Sequence, residues 1–126
     1  MTKTELKNRT KRFAIDTILF VQDLPKSKTY DVISYQLLKS ATSVGANYRS
    51  ACRAISTAEF ISKLNIVIEE ADESMYWFEI IEEVSKNVDT AALKKLHKES
   101  DELKAIFTAS SITIKSNNPK FTNQNS

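Results

Sequence analysis

A single glycine, Gly45, and only two prolines, Pro25 and Pro119, serve all 126 residues of this chain. Sheets of several strands need tight turns, and tight turns draw on Gly, Pro, Asn and Asp at fixed positions. A chain with so little turn chemistry is confined to a few long helices. Gly45 itself falls inside "SVGANYRSACRA", in the middle of a helical pattern, where glycine costs about 1 kcal/mol relative to alanine. Either the backbone must approach something closely there, or the helix breaks.

Apolar residues at helical spacing mark four segments. The first covers about residues 8–23, carries Phe13, Thr17, Phe20, Val21 and Leu24, and stops at Pro25. The second, 28–53, opens after Ser27 and aligns Tyr30, Ile33, Leu37, Ala41, Val44, Tyr48, Ala51 and Cys52. The third, 57–86, begins at "STAE", where Ser56 and Glu59 form a capping box that satisfies the amides of residues 59 and 56. Its expected stripe is Phe60, Leu64, Val67, Ala71, Met75 and Phe78. The fourth, 90–114, starts at Asp89 or Thr90 as cap and runs through Leu93, Leu96, Ser100, Leu103 and Phe107. Short links between long amphipathic helices make neighbours antiparallel. The expected fold is all-α, an up-down-up-down antiparallel four-helix bundle forming one domain over 1–116, with a flexible polar tail over 117–126.

With 41% hydrophobic and 27% charged residues, the composition is that of an average soluble protein. No apolar run reaches the ~20 residues of a spanning helix, and "MTKTELKNRTKRF" has no signal-peptide core. The single Cys52 offers no intrachain disulfide. A cytoplasmic, bacterial protein without membrane partners is expected.

Net charge is only +2, but it is uneven. Residues 1–54 hold ten Lys or Arg against four Asp or Glu, residues 55–88 two against eight, and residues 89–126 six against four. Segments packed side by side would satisfy most of that contrast internally. The sharper alternative is a basic surface for nucleic acid, which a pI near 8.6 permits.

The chemistry of catalysis finds no foothold. His97 is the only histidine and sits among Lys94, Lys95 and Lys98. Di-metal carboxylate bundles require Glu-x-x-His pairs, and Glu69, Glu70 and Glu73 have no histidine near them in sequence. One glycine cannot build a phosphate-cradling loop. The chain reads as a non-enzyme with no cofactor, no metal and no small-molecule substrate.

What remains is surface. At ~100° per residue, Ile66, Trp77 and Ile80 project away from the expected stripe of the third helix, which marks them as a second buried surface, an oligomer interface. On the second helix, Ser34, Ala41, Gly45 and Cys52 fall in a narrow line of small side chains. Such a line lets a neighbouring helix pack closer than 8–10 Å, so Gly45→Leu should disturb packing and Gly45→Ala should be nearly tolerated. Arg49 and Arg53 flank that line. Two arginines four apart can clamp phosphates bidentately, or pair internally, with Glu59 the nearest acid.

Residues 24–81, from Leu24-Pro25 through Tyr30, Gln36, Ser40, Ser43, Ala46-Asn47, Glu59-Phe60, Leu64 and the acidic run Glu69 to Ser74, resemble the 23S rRNA intervening-sequence proteins, also called S23 ribosomal proteins. Many members follow Ala-Asn with Ile-Ala-Glu-Gly; here Tyr48-Arg49-Ser50-Ala51 stands instead, as in the branch reading Ala-Asn-Tyr-Arg-x-Ala-Cys-Arg. The resemblance implies a cytoplasmic bacterial four-helix bundle forming a ring-like homo-oligomer, often a pentamer, with no established biochemical activity. Members can be encoded inside insertions in the large-subunit rRNA gene. The accessory variability proteins of diversity-generating retroelements are similar bundles that bind nucleic acid.

Two functions stay open at this point. One is an oligomeric module binding RNA or DNA through Arg49, Arg53, Lys39, Arg9 and Arg12. The other is a protein-interaction scaffold without nucleic-acid binding.

Overall fold

The computed structural model describes residues 1–118 and contains four helices among them: α1 (Lys3–Gln22), α2 (Lys28–Cys52), α3 (Thr57–Val84) and α4 (Thr90–Asn117). Each begins on a side chain that accepts from an otherwise unpaired amide of the first turn. Thr2 takes the Glu5 amide at 3.1 Å, Ser27 that of Tyr30 at 3.1 Å, Ser56 that of Glu59 at 3.1 Å and Asp89 that of Ala92 at 3.0 Å.

Two of the boundaries expected from the sequence shift by about a turn or more, and one cap contact differs. α1 starts at Lys3 and not near residue 8, because Thr2 caps it and Leu6 and Thr10 extend its buried stripe. α4 continues to Asn117, past the expected 114, so the tail expected from 117 begins inside the helix; from 119 onward it lies outside the described residues. The Glu59 carboxylate reaches one residue further back than a standard capping box and accepts from the Ile55 amide at 3.0 Å.

The helices pack as an antiparallel four-helix bundle, α1 on α2, α2 on α3, α3 on α4, with α4 closing on α1. Aromatic contacts cross the diagonals. Phe78 of α3 meets Phe13 and Phe20 of α1 edge-on at 6.4 and 6.2 Å, and Tyr48 of α2 lies 5.0 Å from Phe107 of α4. These diagonal pairs bury the largest side chains on the bundle axis, where burial is worth about 1.5–3 kcal/mol for each. Burial also holds the Tyr48 phenol above its usual pKa, with Cys52 adding to the effect.

The buried stripe of α3 is Ile61, Leu64, Val67, Ala71, Ser74, Phe78 and Ile81, rotated from the expected one, so that Phe60 and Met75 are only half-buried. The rotation follows from polar pairing that hydropathy does not register. Ser74 donates to Ser40 at 2.9 Å across the α2/α3 contact, and both are fully buried. Other buried hydroxyls bond back to their own helix, as Thr17 does to the Phe13 carbonyl at 2.8 Å. Among the described residues no buried side-chain nitrogen or oxygen lacks a partner.

α1 and α4 form the least extensive of the four contacts. A cleft of about 770 Å³ opens along that seam, floored by Phe13 and Phe20 of α1, Leu24 just after it, Val88 just before α4, and Ala92 and Leu96 near the start of α4.

Candidate nucleic-acid interface

Gly45 sits where α1 crosses α2. A Cβ placed on it would stand 3.2 Å from Thr10 Oγ1 and 3.4 Å from the Thr10 carbonyl carbon, so alanine fits only if α1 gives by a few tenths of an ångström. Helix α2 is unbroken there, and the backbone φ is ordinary. The glycine is therefore explained by close approach and not by a turn. The Thr10 hydroxyl is already committed to the Leu6 and Lys7 carbonyls at 2.8 and 3.1 Å.

That close approach forms the floor of a shallow groove of about 230 Å³ between the two helices. Its walls carry Lys7 and Lys11, one turn apart on α1, and Arg49, one turn beyond Gly45 on α2. No acidic residue lines it. Among the described residues Lys7, Lys11, Arg49 and Arg53 make no ion pair. Arg53 is the C-cap of α2 and Arg49 lies in its last turn, where cations also favour the helix dipole. Neither arginine makes an ion pair with Glu59, whose carboxylate accepts from the Ile55 amide.

The other cations expected at a nucleic-acid surface stand elsewhere. Arg9 faces α4, where Nε and Nη2 donate to both oxygens of Glu99 at 2.8 and 2.7 Å and Nη2 also reaches Glu102 at 2.7 Å. Its hydrogen bond to Glu99 holds its pKa above the ordinary value against the opposing effect of burial. Arg12 pairs with Asp16 at 3.1 Å along α1. Lys39 is exposed on α2, and its charge acts on Glu70 of α3, whose pKa is raised by burial and by Glu73 and lowered by Lys39. The groove thus combines Arg49 with Lys7 and Lys11, which sequence reasoning missed. Starting α1 at the Thr2-x-x-Glu5 cap would have put those two lysines on one helical face.

The topology also sorts charge along the bundle axis. Cutting each helix at its midpoint, the half that holds the α2–α3 loop (residues 1–12, 41–70 and 104–118) has ten Lys or Arg against four Asp or Glu, a net +6. The opposite half (13–40 and 71–103) has seven against twelve, a net −5. Lateral packing of basic on acidic segments, the bland expectation from the sequence, cancels only part of the contrast. The groove lies in the positive half.

The sequence matches the family of 23S rRNA-intervening sequence proteins over residues 2–109, which include the whole groove. The chain belongs to that family. A crystal structure of a protein of unknown function from the S23 ribosomal protein family of Bacteroides thetaiotaomicron VPI-5482 superposes with a TM-score of 0.79 at 31% identity, covering 88% of this chain and 98% of that one. No curated protein matches the chain.

In this 23S rRNA-intervening sequence family member, the three residues expected at an oligomer interface differ in setting. Ile66 is 40% exposed, whereas Trp77 and Ile80 are half-buried and pack against the core. Trp77 donates from Nε1 to Glu73 at 3.2 Å and stacks edge-on with Tyr76. Of the small residues on α2, Ala41 is fully buried and Ser34, Gly45 and Cys52 are partly covered. His97 meets Glu79 of α3 at 2.9 Å, an exposed tie between helices. Among the described residues no group of His, Cys, Asp and Glu could hold a metal ion, and no helix is long and apolar enough to cross a membrane.

Proposed function

We propose that this protein is a non-enzymatic, homo-oligomeric nucleic-acid-binding bundle that holds a phosphate backbone against the α1/α2 groove. The observation that carries this reading is the groove itself: Lys7, Lys11 and Arg49 converge without an acid among its lining residues, in the half of the bundle with a net charge of +6. Grouped cations without internal partners leave free energy to be gained from phosphate, because each neutralised phosphate releases condensed counterions. Arg49 and Arg53 add bidentate geometry that lysine lacks. Gly45 keeps the groove floor low enough for a strand to approach the walls.

The family name ties members to insertions in 23S rRNA, which makes ribosomal RNA fragments the first ligands to test. Self-association, with the pentamer that the resemblance implies, is supported by apolar side chains left exposed on α2 and α3, including Val32, Tyr35, Ile66, Tyr76 and Val84. A ring would repeat the groove around its axis and multiply weak contacts. The cytoplasm is the compartment this role requires.

Anisotropy titrations of a 23S rRNA fragment and of unrelated duplexes over a salt series test the reading, beside light scattering for the assembly. Binding that falls steeply with salt in the wild type and collapses in Lys7→Ala/Lys11→Ala/Arg49→Ala supports it. Equal binding by the triple variant removes the groove. No binding by the wild type leaves the scaffold reading, for which the acidic half with its exposed Asp72 and Glu73 is the recruiting surface.

A further inference from the structure

We infer that Ile55, at the tip of the α2–α3 loop, is an apolar wedge that inserts between the bases of the nucleic acid held in the groove; this rests on the function proposed above. Ile55 is 95% exposed, more than any other large hydrophobic side chain among the described residues. Scattered exposed apolar residues are ordinary on protein surfaces and by themselves mean nothing. Three observations set this one apart.

Its backbone is pinned. The Arg53 and Ala54 amides donate to the Ser50 and Ala51 carbonyls at 3.1 and 3.0 Å, the Ile55 amide donates to Glu59 Oε2 at 3.0 Å, and Ser56 caps α3 immediately after it. The side chain is therefore presented on a fixed tip, which limits the order lost on insertion. Its neighbours are cationic and unpaired: Arg53 precedes it by two residues and Arg49 by six. The acid nearest to it in sequence, Glu59, holds the Ile55 amide. Finally, the tip continues the groove. From Gly45 to the end of α2 at Cys52 is ~10 Å at ~1.5 Å per residue, about three nucleotides of a strand at ~3.4 Å each. A strand gripped by Lys7, Lys11 and Arg49 thus brings its next bases to Ile55.

Proteins that bend nucleic acid insert Ile, Leu, Met or Phe between base steps beside arginines that neutralise the adjoining phosphates. The cost of unstacking is lowest at a bulge or a flexible step. The surrounding charge favours this occupant over an apolar protein surface, which would have to bury Arg53 without a counter-ion.

The test uses the full chain and a duplex RNA with 2-aminopurine beside a single-nucleotide bulge, read by anisotropy for binding and by 2-aminopurine fluorescence for unstacking. Wild-type binding should raise the fluorescence at least about twofold, as an opened step does. Ile55→Ser should bind within about threefold of wild type, because the phosphate contacts remain, yet lose the fluorescence rise. Ile55→Leu should restore it. The exposed position predicts unchanged thermal stability in both variants. Binding by the wild type without a fluorescence rise, or a rise that Ile55→Ser retains, overturns the wedge while leaving the groove in place. A change in assembly mass on Ile55→Ser also overturns it and makes the tip a contact between copies. Failure of the wild type to bind any nucleic acid overturns the groove and the wedge together.

Discussion

Arg9 and Arg49 stand on neighbouring helices in the same half of the bundle, yet one is spent and the other free. Arg9 looks across the loosest helix contact to α4, where Glu99 and Glu102, three residues apart, accept from its Nε and Nη2, while Nη1 lies against Met1 Sδ at 3.9 Å. Arg49 looks outward over Gly45 and Thr10 toward two lysines. Side-chain type and helical setting are alike. What differs is the element facing each, and that decides whether an arginine clamps the fold or waits for a ligand.

The largest expected effect bears on the free side. Lys7→Ala/Lys11→Ala/Arg49→Ala should weaken RNA binding about 10- to 100-fold at low salt and make the salt slope shallower by about 2–3, with stability changed by no more than about 0.5 kcal/mol. A melting experiment showing large destabilisation instead would place these residues with Arg9. Next comes the groove floor. Gly45→Leu should cost about 1–3 kcal/mol by forcing α1 away from α2, while Gly45→Ala should stay within about 1 kcal/mol, since gained helix propensity offsets the tight contact with Thr10. Urea titration of the two variants reads the difference, and equal tolerance of both would remove the close approach as the reason for the glycine.

Arg9→Ala should be the mirror image of the groove variant. It should cost about 1 kcal/mol through the lost bidentate pair, seen as a fall in Tm of about 3–5 °C, and leave RNA affinity unchanged; a matching loss of affinity would erase the distinction between the two arginines. The smallest effect concerns Glu70. Its raised pKa means the folded state binds its proton more readily than the unfolded chain does, so its charge opposes folding above the folded pKa. Glu70→Gln should therefore raise Tm slightly at neutral pH. That advantage should fade as pH falls through the raised pKa and wild-type Glu70 protonates. Scanning calorimetry at neutral and acidic pH checks the sign.

Much of the fold was legible because it depends on local signals. The Ser27, Ser56 and Asp89 caps, the stop at Pro25 and the run Ile33-Leu37-Ala41-Val44-Tyr48 are readable one helix at a time. The start of α1 was legible too, in Thr2-x-x-Glu5, but its first turns carry only Leu6 and Thr10 inward and make a faint periodicity. The stripe of α3 was misplaced because Ser74 is buried by its bond to Ser40, a pairing that hydropathy cannot register. The candidate site was half legible. Gly45 and Arg49 stood out, while Arg9, Arg12 and Lys39 carried the same charge and could not be told from them without knowing what each faces.

The sequence alone determined the helices, their number and their antiparallel order, because caps, breakers and 3.6-residue periodicity act within a few residues of each other. It also placed the chain in its family. Which cations remain free, which residue the one glycine packs against, and how the charge of residues 1–118 divides into +6 and −5 along the axis were decided only by the tertiary structure. Those properties depend on distances between residues far apart in sequence, as from Arg9 to Glu99 or from Thr10 to Gly45, and such distances exist only once the four helices have packed.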